Sequence, residues 1–355
     1  MSARELEATA MAMVARGKGI LAIDESLPTI KKRFEAINFE CTEEHRRAYR
    51  ELLIDNAGAA PYISGLILFD ETIRQATADG VPFPKVLADK GIMPGIKVDK
   101  GTKDLACNPG EKVTEGLDGL RERLAEYRSL GARFAKWRAV INIGDGMPSM
   151  ACIEANAHAL ARYAGLCQEA DIVPMVEPEV MMDADNTIDR CFEVTETTLR
   201  TVFNALKSQN AVLEHTILKT NMVVSGKQCP VQASVDEVAE KTVRCLKRAV
   251  PAAIPGIVFL SGGQSGKDAT RHLNAMNAAG FDLPWPLSFS YGRALQADAL
   301  KAWGGKAENL ARAREILLHR ERCNGLASIG EYSAAIEAEL AALNRRLSRA
   351  RRGTD

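Results

Sequence analysis

Ionisable residues stand in this chain where a buried β-strand would carry apolar side chains. Asp24 ends LAID, Lys97 lies in GIKVD, Lys219 interrupts TILKTNM and Arg293 follows SFSYG. Lys136 and Arg138 are two apart in FAKWR, and Glu177 and Glu179 are two apart in VEPE. Residues i and i+2 share one face of a strand, so each pair is expected to point into a single cavity. Burying an unpaired charge costs several kcal/mol, so a chain that repeats the pattern on most of its strands is expected to use it. A desolvated lysine near other cations has a lowered pKa and becomes an amine nucleophile able to form a Schiff base with a carbonyl. Glu177 and Glu179 would supply general acid or base chemistry beside it. Among Lys97, Lys136 and Lys219, these arguments alone do not select the nucleophile.

Two further segments suit an anion. LSGGQSG places Ser261, Gly262 and Gly263 after an apolar run and before a helical one, and SYGRAL places Gly292 and Arg293 likewise. Glycines let backbone N–H groups approach a phosphate, and a helix N-terminus adds partial positive charge. Gly266-Lys267 is not a P-loop, because Ser261 and Asp268 stand where glycine and Ser/Thr are required.

Eight apolar runs would position these residues: 19–24, 62–69, 95–99, 132–140, 172–179, 215–223, 256–263 and 286–293. Amphipathic helical patterns lie between several of them. One spans 235–250 and is introduced by Ser234 with Glu237 in capping-box register. Strands alternating with helices imply parallel βαβ units. Eight of them point to an α/β fold of the closed (β/α)8 TIM-barrel kind, with an open doubly wound sheet as the alternative. In such barrels the site lies at the carboxyl ends of the strands, and the last two loops often hold phosphate. The expected organisation is one domain over 1–355. It has an N-terminal helix over 1–18 and a C-terminal helix over 328–355, which begins at Ser328 with Glu331 in capping-box register and ends Arg-rich.

The chain has 355 residues, with 46 Lys plus Arg against 46 Asp plus Glu. That balance argues against a nucleic-acid binder, which is usually strongly basic. No apolar run is long enough for a membrane span, and the first residues lack the pattern of a secretory signal. The 8 cysteines form no CxxC pair and read as reduced thiols of a cytoplasmic protein. The 5 histidines are scattered and HExxH is absent, which gives little support for a metal site.

Over about residues 5–325 the chain resembles class I fructose-bisphosphate aldolase, on the motifs GILAIDES, PGIKVDKG, FAKWR, VPMVEPE, ILKTNMV, FLSGGQS and SFSYGRALQ. The resemblance implies that Lys219 forms the Schiff base, with Glu177 as general acid/base. Glu179 and Lys136 would tune the lysine, and Asp24 would act near substrate C4. It makes Ser26, Arg33, Lys97, Arg138, Ser261, Gly262, Gly263, Gly292 and Arg293 substrate-binding residues, with Arg33 in IKKRF close to the phosphate loops. It further implies fructose 1,6-bisphosphate and triose phosphates as ligands, no metal or other cofactor, a place in glycolysis and gluconeogenesis, and a homotetramer. Three departures stand out. Leu27-Pro28-Thr29 replaces the usual Thr-Gly-Ser, which leaves another sugar phosphate such as fructose 1-phosphate as an alternative substrate. Thr220 follows Lys219 where proline is usual. The last tyrosine is Tyr332, whereas animal members end in one. A non-catalytic scaffold is the alternative of a different class.

Overall fold

The computed structural model describes residues 3–339. Its strands are β1 (Gly19–Ala22), β2 (Ile63–Leu68), β3 (Met93–Lys97), β4 (Thr102–Asp104), β5 (Lys112–Thr114), β6 (Phe134–Ile141), β7 (Val173–Val180), β8 (Ile217–Thr220), β9 (Ile257–Phe259) and β10 (Leu287–Tyr291). Eight of them close a parallel barrel in the order β1-β10-β9-β8-β7-β6-β3-β2. The closed barrel therefore holds and the open sheet does not. The short antiparallel hairpin β4–β5 stands outside the barrel and carries no apolar alternation that would announce it.

The helices are α1 (Ala3–Met13), α2 (Leu27–Glu35), α3 (Glu43–Ile54), α4 (Asp70–Ile73), α5 (Phe83–Asp89), α6 (Leu120–Ser129), α7 (Met150–Glu169), α8 (Ile188–Ser208), α9 (Val235–Ala249), α10 (Gly266–Ala278), α11 (Arg293–Trp303) and α12 (Leu310–Ala327). The α9 cap forms as its sequence implies, with Ser234 Oγ accepting from the Glu237 amide at 3.2 Å. The N-terminal helix ends at Met13 rather than 18 because a turn leads into β1. The expected cap at Ser328 is not used. Residues 328–330 form a turn, Ser328 Oγ donates to the Gly325 carbonyl at 2.7 Å, and helix resumes only at 334. Ser333 heads that resumed helix, its Oγ accepting from the Ile336 amide at 3.5 Å. The Arg-rich end of the expected helix lies outside the described residues.

Alternate strand residues divide between two cores. Leu21, Leu66, Ala135, Trp137, Val176 and Leu218 pack outward under the helices. Ile20, Ala22, Ile67, Phe134, Val173, Met175, Ile217 and Val258 fill the barrel interior. That interior is closed at its lower end by Leu6, Ala10 and Met13 of α1, whose spacing puts them on one helix face. Phe134 fills the space left by small neighbours. A Cβ on Gly65 would lie 2.9 Å from its ring, and one on Gly95 would overlap it.

Candidate active site

The carboxyl ends of the strands open on a cavity of about 1260 Å³. Strand register puts the charged pairs side by side. Arg138 is opposite Glu177, and Lys97 is opposite Lys136. Because residues two apart share a face, Phe134, Lys136 and Arg138 follow one another up the inside of β6, and Met175, Glu177 and Glu179 up the inside of β7.

The centre is a chain of alternating charges. Lys219 Nζ lies 2.9 Å from Glu177 Oε1, and Glu177 Oε2 lies 3.3 Å from Lys136 Nζ. Lys136 Nζ also pairs with Asp24 Oδ2 at 2.6 Å. Asp99 continues the chain, 3.9 Å from Lys136 and 3.0 Å from Lys97. Lys136, Glu177 and Lys219 are buried. Burial opposes ionisation of Asp24, but Lys136, Lys219 and Lys97 outweigh it and hold the carboxyl well below the usual carboxylate range. Burial likewise disfavours charge on Lys136, yet Asp24, Glu177 and Asp99 raise its pKa above that of an ordinary lysine. Glu177 is lowered by Lys219, Lys136 and Arg138 against its own desolvation. The Glu177 carboxylate therefore stands between the ammonium groups of Lys136 and Lys219.

Glu179 accepts from Arg138 Nε. Burial opposes charge on Arg138, but Glu179 raises its pKa further above the usual guanidinium value. Thr220 is buried, and its hydroxyl has no hydrogen-bond partner among the described residues.

The remaining residues ring the cavity. Ser26, Arg33, Ser261, Gly262, Gly263, Gly292 and Arg293 all line it. Gly262 and Gly263 have φ values of 57° and 101°, a left-handed backbone that favours glycine. Arg293 opens α11, and among the described residues its guanidinium has no carboxylate partner. Arg33 is instead tied to Glu25, which also accepts from the buried Arg50. Gln296 of α11 lies 3.4 Å from Arg33 and donates to Glu25 at 3.0 Å, which sets Arg33 one helical turn from Arg293. Ser26 heads α2, and its hydroxyl lies 3.1 Å from that of Thr29.

Asp99 and Ser290 are among the lining residues that escaped the sequence reading. Asp99 follows Lys97 at i+2 in GIKVD, the spacing that singled out the other pairs. Ser290 is buried, lines the cavity and has no partner for its hydroxyl among the described residues. Its signal was the alternation Ser288, Ser290, Gly292 against Phe289, Tyr291. Among the described residues, His319, Cys323 and Glu337 form the one group of three that could hold a metal. None of them lines the cavity, and Arg320 grips Glu337 at 2.9 and 2.6 Å.

A closed (β/α)8 barrel with an amine-bearing, carboxylate-flanked cavity and glycine loops on its last strands defines a lyase of the aldolase class. The family model described as Fructose-bisphosphate aldolase class-I matches residues 5–350. A "Probable fructose-bisphosphate aldolase class 1" of Xanthomonas campestris pv. campestris is 65% identical over 94% of this chain and 99% of its own. The cytoplasmic isozyme of Spinacia oleracea fructose-bisphosphate aldolase is 53% identical over 93% of this chain and 92% of its own. Fructose-bisphosphate aldolase from Plasmodium falciparum, solved with TRAP and a small-molecule inhibitor, superposes with a TM-score of 0.92. It is 50% identical and covers 93% of this chain and 96% of its own. The chain belongs to the class I fructose-bisphosphate aldolase family, a glycolytic family whose members work through a Schiff base rather than a metal.

Proposed function

We propose that Lys219 is the Schiff-base nucleophile of fructose 1,6-bisphosphate cleavage and that the charge chain around it moves the protons. The observation that carries this reading is Glu177 standing between two buried lysines, 2.9 Å from one and 3.3 Å from the other. Glu177 takes a proton from the Lys219 ammonium, and the free amine attacks the ketone at C2. The same carboxyl returns a proton to the carbinolamine hydroxyl, which leaves as water and gives the iminium. As the C3–C4 bond breaks, its electron pair flows into the iminium to form an enamine. The C4 hydroxyl loses its proton towards Asp24, and glyceraldehyde 3-phosphate departs. Protonation at C3 and hydrolysis then release dihydroxyacetone phosphate and restore Lys219.

Lys136 remains charged throughout, and its positive charge favours the oxyanion that develops on a carbonyl oxygen. Glu179 orients Arg138. Arg138, Lys97, Arg33, Ser26 and the amides of 261–263 and 292–293 bind the two phosphates and the hydroxyls between them. The enzyme works in the cytoplasm as a homotetramer. The name of the spinach relative supports the compartment, and the family resemblance supports the assembly, which light scattering on the purified protein tests.

Borohydride trapping with dihydroxyacetone phosphate in excess chelator, followed by peptide mass spectrometry, tests the nucleophile. A reduced three-carbon adduct on Lys219 is expected. No adduct, or one on Lys97 or Lys136, overturns the assignment. Leu27 is exposed in the altered segment 27–29, which forms the first turn of α2 rather than a loop, so activity towards fructose 1-phosphate is measured beside the bisphosphate.

A further inference from the structure

We infer that Lys227, which no part of the mechanism above uses, is a third cationic group for the substrate phosphate held at Gly262, Gly263 and Arg293. This rests on the aldolase reading and deepens it. Residues 226–228 are laced to the segment after β7 by three backbone bonds. The Gly226 amide donates to Asn186 at 2.8 Å, Lys227 to Met182 at 2.8 Å and Gln228 to Ala184 at 3.0 Å. Gly226 is needed for that approach, since a Cβ there would overlap the Ala184 carbonyl. The lacing fixes where Lys227 leaves the chain, and its side chain reaches over the glycine loop. A Cβ on Gly263 would overlap the Lys227 ammonium and lie 2.7 Å from Arg293 Nη2. A loop cation and one from the first turn of α11 thus converge on one glycine.

Like charges at such a distance repel unless an anion lies between or beside them. Among the described residues the carboxylate paired with them is Asp183, 2.5 Å from Lys227, and it neutralises one of the two cations. The set Lys227, Arg293 and Asp183 therefore carries an excess positive charge around backbone that a phosphate can approach closely. Asp183 itself lines the cavity. It holds Lys227 ready in the absence of ligand and competes with an entering phosphate for it. Lys227 is accordingly a positioning and affinity residue rather than a catalytic one.

The test uses the full chain and four variants: Lys227→Met, Lys227→Arg, Asp183→Asn and the double Lys227→Met/Asp183→Asn. Lys227→Met is expected to raise KM for fructose 1,6-bisphosphate about tenfold with kcat changed less than about twofold, and to weaken inorganic phosphate binding by calorimetry similarly. Lys227→Arg is expected to stay within about twofold of wild type, and Asp183→Asn to lower KM by about two- to threefold, an advantage that the double variant lacks. If the pair merely braces the loop, Lys227→Met and Asp183→Asn will weaken binding together, and the inference fails. Unchanged KM and phosphate affinity in Lys227→Met also overturn it. Phosphate binding that depends on Lys227 in a wild-type protein that cleaves no fructose 1,6-bisphosphate would uphold the site and refute the aldolase reading instead.

Discussion

Along β6 the inward face reads Phe134, Lys136, Arg138, and along β7 it reads Val173, Met175, Glu177, Glu179. β8 supplies Ile217 and then Lys219, and β1 supplies Ile20, Ala22 and then, past its end, Asp24. Each face is apolar in its lower half and charged in its upper half, so two opposite environments rest on the same strands. The lower half packs against itself and α1 without a charge among its members. In the upper half, Asp24, Asp99, Glu177 and Glu179 meet Lys97, Lys136, Lys219 and Arg138. The comparison shows how the barrel tolerates a buried charge cluster. The lower half is expected to supply stability and register, while the upper half holds charges whose desolvation is offset only by one another.

The largest expected effect comes from breaking the upper half. Lys136→Met leaves Asp24 and Glu177 without their shared cation. We expect kcat to fall by about 10²–10⁴-fold, with KM much less affected, measured by steady-state cleavage of fructose 1,6-bisphosphate. The stability cost has a defined pH dependence. Asp24 and Glu177 are lowered, so their contribution is present above the ordinary carboxylate range and is lost as pH falls through their folded values. Lys136 is raised, so its contribution is present below the ordinary lysine range and is lost as pH rises through its folded value. The stability difference between wild type and Lys136→Met should therefore be flat from about pH 5 to 10 in denaturant titrations. A slope within that window that wild type itself also shows would mean that one of the three titrates there and that the network is less tightly paired than its geometry implies. One confined to the variant would mark a carboxyl raised by the loss of its cation.

A change in the lower half should have the reverse signature. Phe134→Ala empties the volume that Gly65 and Gly95 leave to one ring. It is expected to cost about 3–5 kcal/mol in urea unfolding, while kcat per folded molecule stays within a few-fold of wild type. A loss of kcat as large as that of Lys136→Met would mean that the halves are not separable. The catalytic geometry would then depend on the packing beneath it as directly as on its own ion pairs.

These two halves were not equally legible in the sequence. The eight barrel runs all became strands because both faces of a parallel strand are buried, which makes the signal continuous. Their ends were read too long for a related reason. The run 215–223 continues apolar through Met222 and Val223, which are buried yet unpaired beyond Thr220. Apolar character reports burial, whereas a strand end is set by hydrogen bonding. The period-2 spacing brought Lys136, Arg138, Glu177 and Glu179 to one cavity, but it could not choose partners. That Glu179 faces Arg138 and Glu177 faces both lysines depends on inter-strand register, which no local pattern carries. Asp183 and Lys227 sit on two loops brought together by backbone bonds far apart in sequence, so their pairing had no sequence signal. Ser328 and Ser333 both offer a cap, and the turn at 328–330 decided between them.

Glu321 extends the comparison to a buried carboxyl with no cation beside it among the described residues. It lies on α12 and is fully buried. Asn56 Nδ2 donates to its Oε2 at 3.2 Å, and its Oε1 has no partner among the described residues. Desolvation acts unopposed there and pushes its pKa up to about 8, the reverse of Asp24 and Glu177. The unfolded chain releases this proton near the ordinary glutamate value, but the folded chain keeps it until about pH 8. Between those values the native state binds one proton more than the unfolded state, so stability falls by up to about 1.4 kcal/mol per pH unit as pH rises. Glu321→Gln keeps the shape and an acceptor for Asn56 but removes the titration. The variant should match wild type near pH 4, gain about 3 kcal/mol over it by pH 7 and hold a constant advantage above about pH 9. The readout is urea unfolding across that range. If the variant is instead less stable than wild type at pH 7, an unrecognised cation reaches Glu321, and the contrast between paired and unpaired buried carboxyls does not extend to this helix.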